Sequence, residues 1–171
     1  MTHVEKTAIP RDSLMSAYEQ IDGCSADAFR GYLEFPVTLE ALITAFFGSP
    51  IFNLERLLLK SIGQANTSRS DITGLAAGTQ EKFAAWKVEG RNESEVILKV
   101  GSSPIRSWLM ACPDGDDKTA IYFGSAVLPQ TTDQNGKPQV GSTFRLFMGF
   151  HNFYSRLLLK STIKNLQKKQ R

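Results

Sequence analysis

Few side chains in this sequence are of types that do chemistry, and they are scattered. There are two histidines. His3 lies in the polar opening MTHVEKTAIPRDS. His151 lies in GFHNFYSR, among phenylalanines and leucines, and Tyr154 follows three residues later. On a helix that spacing puts the two side chains on one face. The stripe Phe144, Phe147, His151, Tyr154 and Leu158 is aromatic enough to face a sheet, so His151 and Tyr154 would point polar atoms into apolar surroundings. An imidazole so placed could orient a ligand or move a proton. A half-buried histidine satisfied by one hydrogen bond would look the same. Trp86 and Trp108 sit in strand-like segments, and Arg106, two residues before Trp108, shares its face. A guanidinium over an indole could hold an anionic ligand or make a simple cation–π contact. Tyr122 and Phe123 put one aromatic on each face of their strand.

Several chemistries find no support. Two histidines in unrelated places, without close acidic partners, make a poor zinc or iron site. No Gly-x-Ser-x-Gly occurs, and neither Cys24 nor Cys112 has a basic neighbour to activate it. CPDGDDK lacks the alternating oxygen ligands and terminal Glu of a calcium loop. No glycine-rich phosphate loop occurs, so no cofactor is expected. Net charge is +3, unevenly placed. Lys160, Lys164, Lys168, Lys169 and Arg171 crowd the last dozen residues, and the remaining 159 carry 15 basic and 17 acidic groups. That distribution argues against a nucleic-acid footprint and suits a helix C-terminus.

The elements that must position these residues follow from the pattern along the 171 residues, a length that suits one domain. Residues 1–13 read as a flexible leader and 14–171 as a single domain. LMSAYEQID reads as a short helix or strand. In ADAFRGYLEF, Phe29, Leu33 and Phe35 alternate, as in a strand. Thr38 can cap a helix TLEALITAFF that Gly48-Ser49-Pro50 stops, and a second helix, IFNLERLLLKSIG, follows. DITGLAAG reads as a short strand. KFAAWKVEGRNESEVILKVG reads as a hairpin, SSPIRSWLMACP and TAIYFGSAVLP as two more strands, TTDQNGKPQVGS as a polar loop. From Ser142 to about Lys169 one long helix can run. The fold class is therefore α+β: a curved antiparallel sheet gripped by a long C-terminal helix, with two short helices after the first strand. No run approaches the roughly 20 apolar residues of a membrane span, and no secretory signal opens the chain. Together with only two cysteines, this points to the cytoplasm.

RLLLKS occurs at Arg56–Ser61 and again at Arg156–Ser161. Nothing else recurs at that spacing, so this is no structural repeat. Three consecutive leucines span about 200° of a helix at about 100° per residue, which wedges each copy between two apolar surfaces. Membrane contact is disfavoured, because burial against a sheet already accounts for the leucines.

The order strand, two short helices, antiparallel strands and long terminal helix resembles the helix-grip fold of the START-like superfamily, also called Bet v-like or SRPBCC. ADAFRGYLEF with TLEALITAFFGSPIFNLERLLLKSIG, FAAWKVEGRNESEVILKVG, SWLMACP and FMGFHNFYSRLLLKSTI is similar to a bacterial family of unknown function within it. The full fold has seven strands, of which five or six are legible here. The resemblance implies a cavity between sheet and helix for a small apolar, lipid-like or aromatic ligand. His151, Tyr154, Phe147, Trp86, Trp108, Arg106 and Tyr122 are its candidate lining. The first functional expectation is thus a non-enzymatic binding domain. The alternatives are a cyclase or dehydratase using His151, and an interaction module, including a homodimer, built on the helix pair around Arg56–Ser61.

Overall fold

The computed structural model describes residues 3–52, 69–83 and 86–170. Strand β1 (Val4–Thr7) and a single helical turn, α1 (Ser16–Glu19), precede the long strand β2 (Ser25–Leu33). Helices α2 (Leu39–Phe47) and α3 (Arg69–Ala77) follow. Then come β3 (Lys82–Phe83), β4 (Trp86–Arg91), β5 (Glu95–Val100), β6 (Ile105–Pro113) and β7 (Thr119–Val127). A small ribbon of β8 (Thr131–Thr132) and β9 (Pro138–Gln139) leads into helix α4 (Ser142–Lys169).

Strands β1 to β7 form one seven-stranded antiparallel sheet in the order β1-β2-β7-β6-β5-β4-β3. With α4 packed along it, this is the α+β helix-grip arrangement. Two expectations are corrected. Part of the supposed leader is edge strand β1, which pairs with β2 from Val4↔Gly31 to Thr7↔Ala28. DITGLAA is helix, not strand: Arg91, reaching over from β4, donates to the Leu75 and Ala76 carbonyls at 2.6 and 2.5 Å and satisfies the end of α3. Orphan carbonyls at a helix end need such donors. LMSAYEQID resolves into the α1 turn, and the loop TTDQNGKPQVGS contains the β8–β9 ribbon. Thr38 caps α2 as its position suggests, its hydroxyl accepting from the Ala41 N–H at 3.2 Å. The first RLLLKS lies outside the described residues.

Because side chains alternate across a strand, the sheet has two apolar faces. The inner face carries Phe29 and Leu33 of β2, Leu109 of β6, and Ile121 and Phe123 of β7. Helix α2 adds Leu42, Phe46 and Phe47, and α4 adds Leu158, Leu159, Ile163 and Leu166. The outer face carries Ala28, Ile97, Trp108, Met110 and Tyr122, roofed by Ile9, Leu14, Met15 and Tyr18 of the N-terminal segment.

Helix α4 tracks β2 along its length. His151 meets Asp27, Arg156 lies 5.7 Å over the Phe29 ring, and Ile163 packs on Gly31. Any Cβ at Gly31 would sit 2.5 Å from Ile163 Cδ1, so the helix approaches this closely only over a glycine. Of the second RLLLKS, Leu158 and Leu159 are buried while Leu157 is 40% exposed. The triplet is therefore not wedged on both sides. Leu157 faces out with Phe150 and Phe153, which are 66% and 64% exposed.

Candidate functional site

Inward positions of β2 are apolar or glycine except at its start, where Asp27 has the same parity as Phe29, Gly31 and Leu33. Register places Asp27 opposite Ser125 of β7, and Ser125 opposite Ser107 of β6. Directly opposed residues have Cβ atoms about 4.5–5.5 Å apart. A carboxylate and two hydroxyls thus form a polar row across three strands, at the end of an otherwise apolar inner face. Asp27 is 6% exposed and Ser125 is buried.

Helix α4 completes the site. His151 Nε2 lies 3.5 Å from Asp27 Oδ2 and 3.4 Å from Ser155 Oγ. His151 and Ser155 are one helical turn apart, so both reach the same spot. Ser155 is fully buried, whereas the His151 side chain keeps 31% of its exposure. Asp27 Oδ1 is buried without a hydrogen-bond partner, as is Asn152 Oδ1 on the residue after His151. Native structures pair the great majority of such atoms, so an unpaired buried carboxylate oxygen calls for a reason. At 3.5 Å, Asp27 can orient the imidazole without making a tight ion pair.

The residues singled out from the sequence divide between the two faces. His151 and Tyr154 are on α4 and half-buried, with Tyr154 stacked on Phe150 at 6.2 Å and packed at the margin of the inner core. Trp86 is on the inner face, inside an aromatic cluster with Phe47, Phe52 and Phe83 at 5.2 to 6.1 Å. It fills core there. The Phe147 side chain lies outside the described residues. Trp108, Arg106 and Tyr122 are on the outer face, on the far side of the sheet from His151. Strand parity separates them: inward Leu109 and Phe123 force Trp108, Arg106 and Tyr122 outward.

On that outer face the polar groups hold structure. Glu95, 2% exposed, accepts from the Trp108 indole at 2.7 Å, the Leu14 N–H at 2.9 Å and the Asn92 amide at 3.0 Å. Arg106 pairs through two nitrogens with Glu89 and donates to the Ser103 carbonyl. Burial first, then the charge of Glu89, pushes the Tyr18 phenol up from its usual range. Arg106 therefore has a protein carboxylate as its partner, in the place an anionic ligand could have taken. Elsewhere, an open groove of about 510 Å³ runs between Thr38, Glu40, Ala76, Arg91 and Glu93 and contains none of these residues.

Sequence reasoning missed Asp27, Ser125 and Ser155. The signal for Asp27 was present: the Phe29, Leu33 and Phe35 alternation that marked β2 also puts residue 27 on the inner face. Among the described residues, no three of His, Cys, Asp and Glu come together as metal ligands. No described helix is long and apolar enough to cross a membrane.

No family model matches the chain and no curated protein matches it. Among solved structures, the crystal structure of CalU16 from Micromonospora echinospora aligns at 10% identity. The alignment covers 98% of this chain and 94% of that one, with a TM-score of 0.32. A superposition that loose fixes neither the activity nor the ligand of this chain. The helix-grip assignment stands on the sheet order and on the path of α4.

Proposed function

We propose that this chain is a small-molecule binding domain. An apolar ligand enters between β2, β7 and the first half of α4, and its polar group meets Asp27, His151 and Ser155. The observation that carries this reading is the Asp27 carboxylate, 6% exposed, facing His151, with one oxygen lacking any donor. A few convergent polar groups in apolar surroundings are what a ligand site consists of. Phe29, Phe123 and Leu158 supply those surroundings. Membership of the START-like superfamily, and of the bacterial family that the segments resemble, belongs to the same proposal and is supported by the helix-grip arrangement. So does a cytoplasmic location, supported by the free thiols of Cys24 and Cys112.

The test is native mass spectrometry of the purified chain, followed by denaturing extraction. A stoichiometric small molecule that His151→Ala no longer retains is the expected result. A chain that carries nothing, and whose unfolding temperature no apolar amine, alcohol or acid shifts, would overturn the reading.

The Asp27–His151 pair favours one second reading, in which the bound molecule is also transformed by acid–base catalysis. Incubating the extracted ligand with fresh protein decides it. A change in mass or ultraviolet spectrum that Asp27→Asn abolishes marks an enzyme, and an unchanged ligand marks a binding domain.

A further inference from the structure

We infer that the polar group received at this site is a protonated amine, held by Asp27. The inference rests on the ligand-binding reading above and names the ligand's chemical class. It starts from which hydrogen-bonding capacities are left over. Asp27 Oδ1, buried at this end of the inner face without a partner, is an acceptor, and so is the unpaired Asn152 Oδ1, on the residue after His151 in α4. Ionised carboxylates only accept, and hydroxyls such as those of Ser125 and Ser155 can do either. The site is therefore short of donors, so the missing group must bring them. A primary ammonium brings three, of which Asp27 Oδ1 can take one and the Ser125 hydroxyl of the same cross-strand row another.

Charge points the same way. A buried carboxylate is costly unless it is paired. Among the described residues its only ionisable partner is His151 at 3.5 Å, which is part-exposed, and no lysine or arginine pairs with it. Arg30, on the same strand, points to the other face and pairs with Glu5 at 2.6 Å. Arg156, one turn along α4, lies over the Phe29 ring. A cationic ligand would supply the missing countercharge. A carboxylic acid would set a second negative charge beside the first, which opposes binding. An alcohol would supply one donor and no charge. Phe29, Phe123 and Leu158 ask for an apolar body behind the nitrogen, alkyl or aryl.

A matched series tests this on the full chain: 2-phenylethylamine, 2-phenylethanol and phenylacetate, with hexylamine, hexanol and hexanoate beside them. Binding is read by calorimetry and by the shift in unfolding temperature at pH 7. The amines are expected to bind at least tenfold more tightly than the alcohols, with the acids weakest. Asp27→Asn should bring amine affinity to within about twofold of the alcohol, with an unchanged circular-dichroism spectrum and a cooperative unfolding transition showing that the variant is folded. Ser125→Ala should weaken the amines by a smaller factor. Alcohols or acids that bind the parent as well as the amines would overturn the amine inference and leave the ligand-binding reading standing. An amine preference that survives in Asp27→Asn would remove Asp27 as the receptor and overturn it too. Failure of all six compounds, with no molecule carried through purification, would sink both readings.

Discussion

Replacing Asp27 should make the ligand-free protein more stable. Its carboxylate is 6% exposed, and one oxygen has no donor. A buried polar group left unsatisfied costs about 1–3 kcal/mol, and more when charged. Against this stands the attraction to His151 at 3.5 Å, with the imidazole 31% exposed. Pairs screened to that degree contribute about 0–1 kcal/mol. Taking the middle of each range, about 2 against about 0.5, the net gain on removing the charge is about 1–2 kcal/mol. For a domain of this size, each kcal/mol moves the midpoint by roughly 2–4 °C, so the midpoint should rise by about 2–8 °C. Asp27→Asn keeps the shape and an uncharged polar group and should gain less than Asp27→Leu, which also matches the apolar neighbours. The assay is thermal and urea unfolding followed by circular dichroism at pH 7, with equal urea slopes showing that the same surface is exposed. Loss of 1 kcal/mol or more in Asp27→Asn would refute the reasoning. It would mean that the folded chain itself satisfies the carboxylate and that no ligand is needed to explain it. A rise in stability together with lost binding is the usual signature of a residue kept for function.

Three further outcomes follow from the same structure. Glu95→Gln, which removes the charge and turns one acceptor into a donor facing Asn92, should cost about 2–3 kcal/mol in urea unfolding, and Glu95→Ala more, because it orphans the buried Trp108 and Leu14 donors. Gly124→Ala should cost about 1–3 kcal/mol by overpacking, since its Cβ would lie 2.6 Å from the Asp27 carbonyl oxygen and 2.8 Å from the Trp108 ring; a neutral result would mean the sheet gives way there. The Glu5 carboxyl is held below its ordinary 4.5, first by its hydrogen bond from Arg30. A depressed carboxyl contributes stability above the unfolded value and loses it as pH falls through the folded one. Exchange of β1 amides, corrected for intrinsic rate, should therefore speed up below about pH 4.5 in the parent, and Glu5→Gln should flatten that dependence.

Much of the architecture was legible because it is local. Helix α4 runs from Ser142 to Lys169 as its unbroken pattern suggested, and the β4–β5 hairpin turns at the polar GRNES segment. What escaped depends on distant partners. Val4–Thr7 carries no strong strand signal and is a strand because β2 offers it an edge. DITGLAA contains two β-branched residues and a glycine, poor helix formers, and is helical because Arg91 caps it from β4. The candidate site divides along the same line. His151 stood out as a lone titratable group in an aromatic stretch. The expected grouping with Trp108, Arg106 and Tyr122 did not form, because β7 is buried on both faces along its whole length and alternation says nothing about which side is inner. Asp27, in a strand read for its aromatics, was not singled out.

The strand order also bears on how the chain acquires its binding face. Strands β3 to β7 are neighbours in sequence as well as in space, so they can assemble as a meander of short closures. Strand β2 cannot join until β7 exists, because Ser25 pairs with Val127 and Leu33 with Thr119. Pairings so distant in sequence are slow to form, because a long loop must close first. As the ribosome delivers the chain, β1 and β2 wait while almost the whole sheet is made, and α4 emerges last to cover them. The seam between β2 and β7 is where Asp27 meets Ser125, so the carboxylate stays hydrated until the final closure. Opening the inner face again would mean breaking all nine β2–β7 residue pairs and the packing of α4 on α2, so that seam also holds the finished face closed.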